Sequence, residues 1–262
     1  MSTQQLIAFL LLPLAAYLLG SIPFAFVIGK AKGTDIRTVG SKNIGATNLG
    51  RTFGKKYFFY AFALDALKGT LPVLAVALYV QYVNTHSRLA TGDFRWDDLS
   101  FHTIQSLSAT PASFLPAWTP LLTAVAAVLG HNFPLFLKFK GGKGVATSFG
   151  AVLGFWPLYT LAGVVAILAF IFTLMVYRFI SLASMVGASA FFAAVIILGT
   201  NPKLHLTRLN PHDLTPLAIV AALFTLLIIL RHRGNIRRLL NGTEPRVGQR
   251  EINKSRLDPP PS

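Results

Sequence analysis

The 262-residue chain contains no cysteine. Disulfides, thiolate metal sites and a cysteine nucleophile are therefore excluded. Charge is also scarce: 13% of the residues are Asp, Glu, Lys or Arg, against about 25% in a typical soluble domain. Acidic residues are rarest, nine in all beside 24 Lys and Arg, for a net charge of +15. Local catalytic motifs are missing as well. A nucleotide P-loop needs Ser or Thr after its lysine, and Gly144 follows Lys143 instead. No Gly-x-Ser-x-Gly elbow occurs. On the side of the chain where the basic residues gather, the carboxylates are Asp35, Glu244, Glu251 and Asp258. These are too few and too scattered for a two-metal centre, so neither a metal nor a cofactor is expected.

Apolar sequence is abundant. Hydrophobic residues make up 53% of the chain and the mean hydropathy is +0.57. Long apolar runs cover 6–28, 57–83, 117–129, 158–176, 182–198 and 215–230, and 147–153 reads as a half-span. A run of about 20 apolar residues crosses a bilayer as a helix. The predicted fold is an all-α polytopic membrane helix bundle with about seven transmembrane segments, some short. The first run starts close to Met1 and has no small-residue cleavage site ahead of a soluble region, so it reads as a retained span and not a signal peptide. Nineteen of the 24 Lys and Arg fall in 30–56, 130–148, 177–181 and 231–262, four fall in 84–116 and 199–214, and the last is Lys68. The positive-inside rule places the first group in the cytoplasm and the amino terminus outside. The same rule, with anionic lipid or substrate, accounts for the net charge without nucleic acid. Residues 1–242 read as the membrane domain, 84–116 as an extracytoplasmic insertion with a short surface helix around 96–107, and 243–262 as a basic cytoplasmic tail, disordered at its Pro-Pro-Pro-Ser end. Asp65 and Lys68 lie three apart inside a span, on one helix face, and read as a structural ion pair.

The unusual polar clusters all fall on the inner side. Residues 40–54 mix four glycines with Ser41, Asn43, Thr47, Asn48 and Arg51. Residues 130–148, GHNFPLFLKFKGGKGVATS, carry His131, Asn132, three lysines, Gly141, Gly142 and Gly144, and then enter a plausible first helical turn at Val145–Ala146–Thr147–Ser148. The inner turn holds Arg178, Ser181 and Ser184, and the last cluster holds Arg231, His232, Arg233, Asn235, Arg237, Arg238 and Glu244. Glycines let backbone approach a ligand, and N–H groups at a helix start attract anions. Each cluster alone could be a topology signal; four at one end of a bundle suit a basic pocket for phosphorylated substrates. A membrane carrier for a phosphorylated molecule is the rival reading, but it would need polar residues continuing to the outer mouth. A purely structural lipid-binding protein leaves the glycine, hydroxyl and amide clusters unexplained. No histidine is followed five positions on by Asp, which removes the His-x4-Asp type of glycerolipid acyltransferase.

The motifs Gly-Ser-Ile-Pro-Phe at 20–24, Gly-Ser-x-Asn-x-Gly-Ala-Thr-Asn at 40–48 with Arg51, Leu-Asp-Ala-Leu-Lys-Gly at 64–69, Gly-His-Asn-Phe-Pro at 130–134, Lys-Gly-Gly-Lys-Gly-Val-Ala-Thr at 140–147, Ser-Leu-x-Ser at 181–184 and Arg-His-x-x-Asn-Ile-x-Arg-Leu at 231–239 follow one another in order. Together they resemble the PlsY-type acyl-phosphate:glycerol-3-phosphate acyltransferases of bacteria. The resemblance implies a seven-span bundle in the inner membrane with a cytoplasmic site. It implies acyl transfer from acyl phosphate to the 1-hydroxyl of glycerol 3-phosphate, and coupling to an enzyme that makes acyl phosphate. With such an activated donor, Arg51 and Lys143 are the expected phosphate partners, and Ser41, Ser181 and the Gly141–Gly142 backbone complete the cradle. His232 and Asn235 are expected to orient the hydroxyl or hold the carbonyl oxygen. His232 or His131 could act as general base, with Arg231 and Arg233 favouring neutral His232; a substrate phosphate is the competing acceptor. Asn43, Thr47, Asn48, Asn132, Thr147, Ser184 and Glu244 are expected to contact substrate.

Overall fold

A computed structural model of the chain describes residues 2–91, 119–155, 157–204, 209 and 211–248. The regular structure of the described residues is all helical, with no strand among them. A short α1 (Thr3–Leu6) and a π-helical turn (Ile7–Leu11) lead into α2 (Leu12–Gly20). The chain breaks at Ser21–Pro23, where Pro23 lacks a donor, and continues as α3 (Phe24–Ala31). Then come α4 (Ala46–Phe53), α5 (Lys55–Thr91), α6 (Thr119–Asn132), α7 (Val145–Leu153), α8 (Leu158–Tyr177), α9 (Ile180–Thr200), α10 (Pro211–Arg231) and α11 (Arg233–Leu240). Six helical stretches are long and apolar enough to cross a membrane, and the nine-residue α7 adds a half-span. That agrees with the expected count of about seven.

Three boundaries differ from the sequence reading. Helix α5 runs on to Thr91, so residues 84–91 of the expected outer insertion extend the span. The surface helix expected around 96–107 and the Pro-Pro-Pro-Ser end lie outside the described residues. Two stretches read as polar loop or tail are helices: α4 and α11 are short, and each carries its few apolar residues at helical spacing, Ala46, Leu49 and Phe53 in α4 and Ile236, Leu239 and Leu240 in α11.

Helix α8 packs on α9, α9 on α10, α2 on α6, and α5 on both α6 and α7. Lipid offers no hydrophobic gain between helices, so close approach and interhelical hydrogen bonds hold them. Gly69 and Gly150 are where α5 and α7 meet: a Cβ on Gly150 would strike the Ala66 carbonyl, and one on Gly69 the Thr147 carbonyl. Thr70 Oγ1 donates to Gly150 O at 2.8 Å across the same seam. Gly20 and Gly130 join α2 to α6 in the same way. Tyr159, 1% exposed, donates its hydroxyl to Leu217 O at 2.5 Å and sets its ring edge-on to Phe191, linking α8, α9 and α10. Outward faces carry Leu168, Phe172, Met175 and Ile197 exposed, as a lipid-facing surface requires. Overpacking the α5–α7 seam by Gly150→Ala is expected to cost about 1–3 kcal/mol, read as a lower unfolding temperature in detergent.

This packing gathers the α6 and α10 C-termini, the start of α7, the α8–α9 turn, α4 and α11 at one end of the bundle.

Candidate active site

Lys143 precedes α7, just before Gly144, whose φ of +80° is the left-handed turn that starts the helix. Its ammonium donates to Asn235 Oδ1 at 2.5 Å. Asn235, on α11, donates through Nδ2 to Glu244 Oε1 at 2.7 Å. The same carboxylate accepts Ser181 Oγ at 2.6 Å, from the first turn of α9, and Arg238 Nε at 2.7 Å. One buried carboxylate thus ties α9, α11 and the α7 loop together. The backbone beyond α11 is fastened alongside: Val247 N donates to Arg178 O at 2.7 Å, and Arg178 Nη2 returns a bond to Val247 O at 3.0 Å.

Burial is the main influence pushing the Lys143 ammonium down to about 8. Repulsion from Arg238, Arg51 and Arg231 adds to it, against the pull of Glu244. Four cations therefore surround one carboxylate. Burial would raise Glu244, but the hydrogen bonds from Ser181, Asn235 and Arg238 hold it below the usual carboxylate range. Among the described residues Arg51, exposed on α4, makes no ion pair. The cluster has an excess of positive charge suited to dianions.

His232 is 2% exposed at the break between α10 and α11. Its Nδ1 stands 2.7 Å from Ile228 O, which can only accept, so Nδ1 carries the proton and Nε2 is left as an acceptor. Burial first, then the Lys143 charge, depress it to about 4. The ring is neutral at pH 7, as expected, but desolvation and Lys143 are the causes, not the flanking Arg231 and Arg233.

Other expected residues have different tasks. Gly142 N–H donates to His131 O at 3.1 Å, and the carbonyls of Gly142 and Gly141 accept Arg231 Nε and Nη2 at 2.9 and 2.7 Å. The glycine pair is thus a mount for a guanidinium through its two carbonyls, and the Gly142 N–H is spent on His131. Asn48, 1% exposed, accepts from Ser41 N and donates to Ile36 O and Val39 O, so it shapes the loop ahead of α4. Asn43 caps a local turn by accepting Gly45 N. Ser41 is exposed and Thr47 half-buried. Ser184 donates to Ile180 O within α9. His131 is buried against Thr147 and Asp65 and touches the Gly141–Gly142 backbone next to Lys143. Asn132 is fully buried beside Gly144, with neither amide atom bonded among the described residues. Sequence reading did not single out Arg231 and Arg238 as site residues, although both stood in the quoted cluster; their signal was the i, i+7 recurrence of arginine on either side of Asn235.

A family model described as glycerol-3-phosphate acyltransferase matches residues 10–242. The glycerol-3-phosphate acyltransferase of Geotalea daltonii is 38% identical over 235 residues, 90% of this chain and 95% of that protein. That of Bacillus subtilis is 39% identical over 239 residues, 90% and 96% of the two chains. The crystal structure of PlsY (YgiH), an integral membrane glycerol 3-phosphate acyltransferase, in its glycerol 3-phosphate form superposes with a TM-score of 0.67 at 35% identity, over 91% of this chain and 95% of that one. Its lysophosphatidic acid form gives 0.65 at 34% identity. Sequence likeness and shared fold extend over nearly the whole of both chains, the family model takes in Arg51, Lys143, Ser181, Arg231, Asn235 and Arg238, and the chain belongs to the PlsY-type glycerol-3-phosphate acyltransferase family.

Proposed function

We propose that this protein transfers an acyl group from an acyl phosphate to the 1-hydroxyl of sn-glycerol 3-phosphate, giving 1-acyl-glycerol 3-phosphate and phosphate at the cytoplasmic face of the bacterial inner membrane. The observation that carries the reading is the set of four cations, Lys143, Arg51, Arg231 and Arg238, around the single carboxylate of Glu244. Two phosphate dianions, one on each substrate, match that excess. The relatives' names and the glycerol 3-phosphate form of PlsY support the acceptor. The acyl-phosphate donor is what the resemblance to the PlsY-type enzymes implies, and the site is compatible with it: without a cysteine or a His-x4-Asp pair, cations and a neutral imidazole suit a carbonyl already activated by a phosphate leaving group.

In this mechanism Arg51, Arg231 and Lys143 hold the phosphates, while Asn235 fixes Lys143 directly and, with Ser181, holds the Glu244 carboxylate that fixes Arg238. His232 Nε2 accepts the hydrogen bond of the acceptor hydroxyl and aims its lone pair at the carbonyl carbon. The new ester bond forms, the carbonyl–phosphate bond breaks, and the hydroxyl proton ends on the departing phosphate. Lys143 and the guanidinium groups stabilise the charge that develops on the way. The positive-inside distribution supports a cytoplasmic position for this end and the carboxyl terminus, with the amino terminus outside. An enzyme that makes acyl phosphate must supply the donor.

Purified protein in detergent is expected to convert palmitoyl phosphate and glycerol 3-phosphate to lysophosphatidate and phosphate in equal amounts. Transfer only from acyl-CoA or acyl carrier protein would replace the donor; transfer from none would favour the carrier. The pH profile is a further check. Lys143 is charged below about 8 and loses its proton above it, so kcat/KM should fall as pH rises through that value. In Lys143→Arg, whose guanidinium stays charged, whatever activity is left should lack that limb.

A further inference from the structure

Asp65 and Lys68 are 2–3% exposed, in a span, and paired at 2.7 Å. Lys68 also donates to Ile22 O at 2.7 Å, in the break between α2 and α3, and lies 5.5 Å from the centre of the Phe24 ring. On the other side, Asp65 Oδ1 is 3.7 Å from His131 Nδ1, and that nitrogen is 3.0 Å from Thr147 Oγ1 on α7. His131 is in turn pressed onto the glycine pair. A Cβ on Gly142 would strike His131 Nε2, a Cβ on Gly141 would strike His131 O, and Gly142 N–H donates to that carbonyl. Arg231 clamps the opposite side of the pair through two carbonyls. The buried ions thus connect, contact by contact, to the backbone that carries Lys143 and orients Arg231.

Replacing a buried ion pair by well-packed apolar residues is often neutral or stabilising, so stability alone is a weak reason for these charges inside a membrane. A hydrogen bond at one ring nitrogen orients a histidine, and here Thr147 Oγ1 makes it at Nδ1 while the Asp65 carboxylate stands beside it as a charge. We infer that Asp65, Lys68, His131 and Thr147 form a positioning strut that sets the register of Gly141–Lys143, and through it the phosphate-holding directions of Lys143 and Arg231. The inference rests on reading that pocket as the glycerol 3-phosphate site. In this inference the four residues act through the loop.

The test separates register from folding. A merely structural role lowers the active fraction, and so the apparent kcat, without moving KM. A strut makes Asp65→Asn raise KM for glycerol 3-phosphate by about tenfold, with kcat of the folded enzyme within about threefold of wild type. Thr147→Val keeps the volume and removes the hydroxyl, so it decides the matter if Asp65→Asn does not fold. It should raise KM as well, and Thr147→Ser should restore it. Amide hydrogen exchange over 139–147, which needs no turnover, should quicken in Asp65→Asn and Thr147→Val. Folded Thr147→Val with wild-type KM and wild-type exchange overturns the strut. If the wild-type protein itself transfers no acyl group, the functional reading falls, and quickened or unchanged exchange alone upholds or overturns the strut.

Discussion

Lys143→Met is expected to lower kcat/KM for acyl transfer by about a thousandfold while the protein stays folded, the loss associated with removing one well-placed donor from a dry transition-state site. Methionine keeps the length and apolar stem of lysine and removes only the charge and its donors. The ammonium stands at the meeting point of the α7 loop and α11, bonded to Asn235 and close enough to Arg51, Arg231 and Arg238 to be repelled by all three. That repulsion predicts the stability outcome. A lysine whose folded pKa is pushed down is one whose charge the fold disfavours: below about 8 the charge costs stability, and stability rises as pH climbs from there toward the unfolded value. Removing the charge therefore leaves the melting temperature in detergent unchanged or higher. Activity measured beside thermal unfolding checks both halves. A folded variant within tenfold of wild type would show that Lys143 does not meet the transferring group.

What the sequence made legible followed hydropathy and charge. Six spans, the half-span and the helix start at Val145 were visible because each is marked by an apolar run or by glycine before a helical pattern. The Asp65–Lys68 pair was visible from its i, i+3 spacing, and the pair is indeed buried. The gathering of basic clusters at one end followed from counting charges on alternate sides, and the bonds from Lys143 to Asn235 and from Glu244 to Ser181 join three of those clusters.

What escaped was direction. Residues 40–54 contain enough glycine and asparagine to read as a ligand loop, and Asn48, in the first turn of α4, spends its amide on three backbone groups of the loop ahead of the helix. Gly141 and Gly142 looked like a phosphate cradle because glycine permits close approach. The close approach is there, and it brings His131 onto one side of the pair and Arg231 onto its carbonyls, contacts that glycine composition alone does not name. Composition tells that a backbone comes near something; only the fold tells what. Helix α11 was hidden for a related reason, since a short helix rich in arginine has little apolar signal, and it becomes helical where His232 ends α10 and Glu244 supplies an acceptor for Asn235 and Arg238.

That carboxylate sets up the second large effect. Glu244→Ala should both destabilise the protein, by about 3 kcal/mol, and abolish transfer. The figure is set at the low end for a buried charge pair because Arg238 is 40% exposed and water screens part of the loss. Three donors, Ser181 Oγ, Asn235 Nδ2 and Arg238 Nε, lose their acceptor together, and the surrounding cations lose their one counter-charge. Glu244→Gln should be milder, because its amide oxygen can still accept from Ser181 and Asn235 while its nitrogen cannot accept from Arg238. The linkage has a definite sign. A carboxylate held below its usual range contributes stability that is present above the unfolded pKa and lost as pH falls through the folded one, so wild type should weaken in acid and Glu244→Gln should not share that part of the slope. A phosphate dianion bound among the cations replaces the missing charge. Added phosphate should therefore raise the unfolding temperature of Glu244→Gln more than that of wild type. Equal shifts in the two proteins would mean that Glu244 and the phosphates do not share one electrostatic site. A larger shift in the variant means that the carboxylate balances these cations in the empty enzyme and substrates balance them when bound.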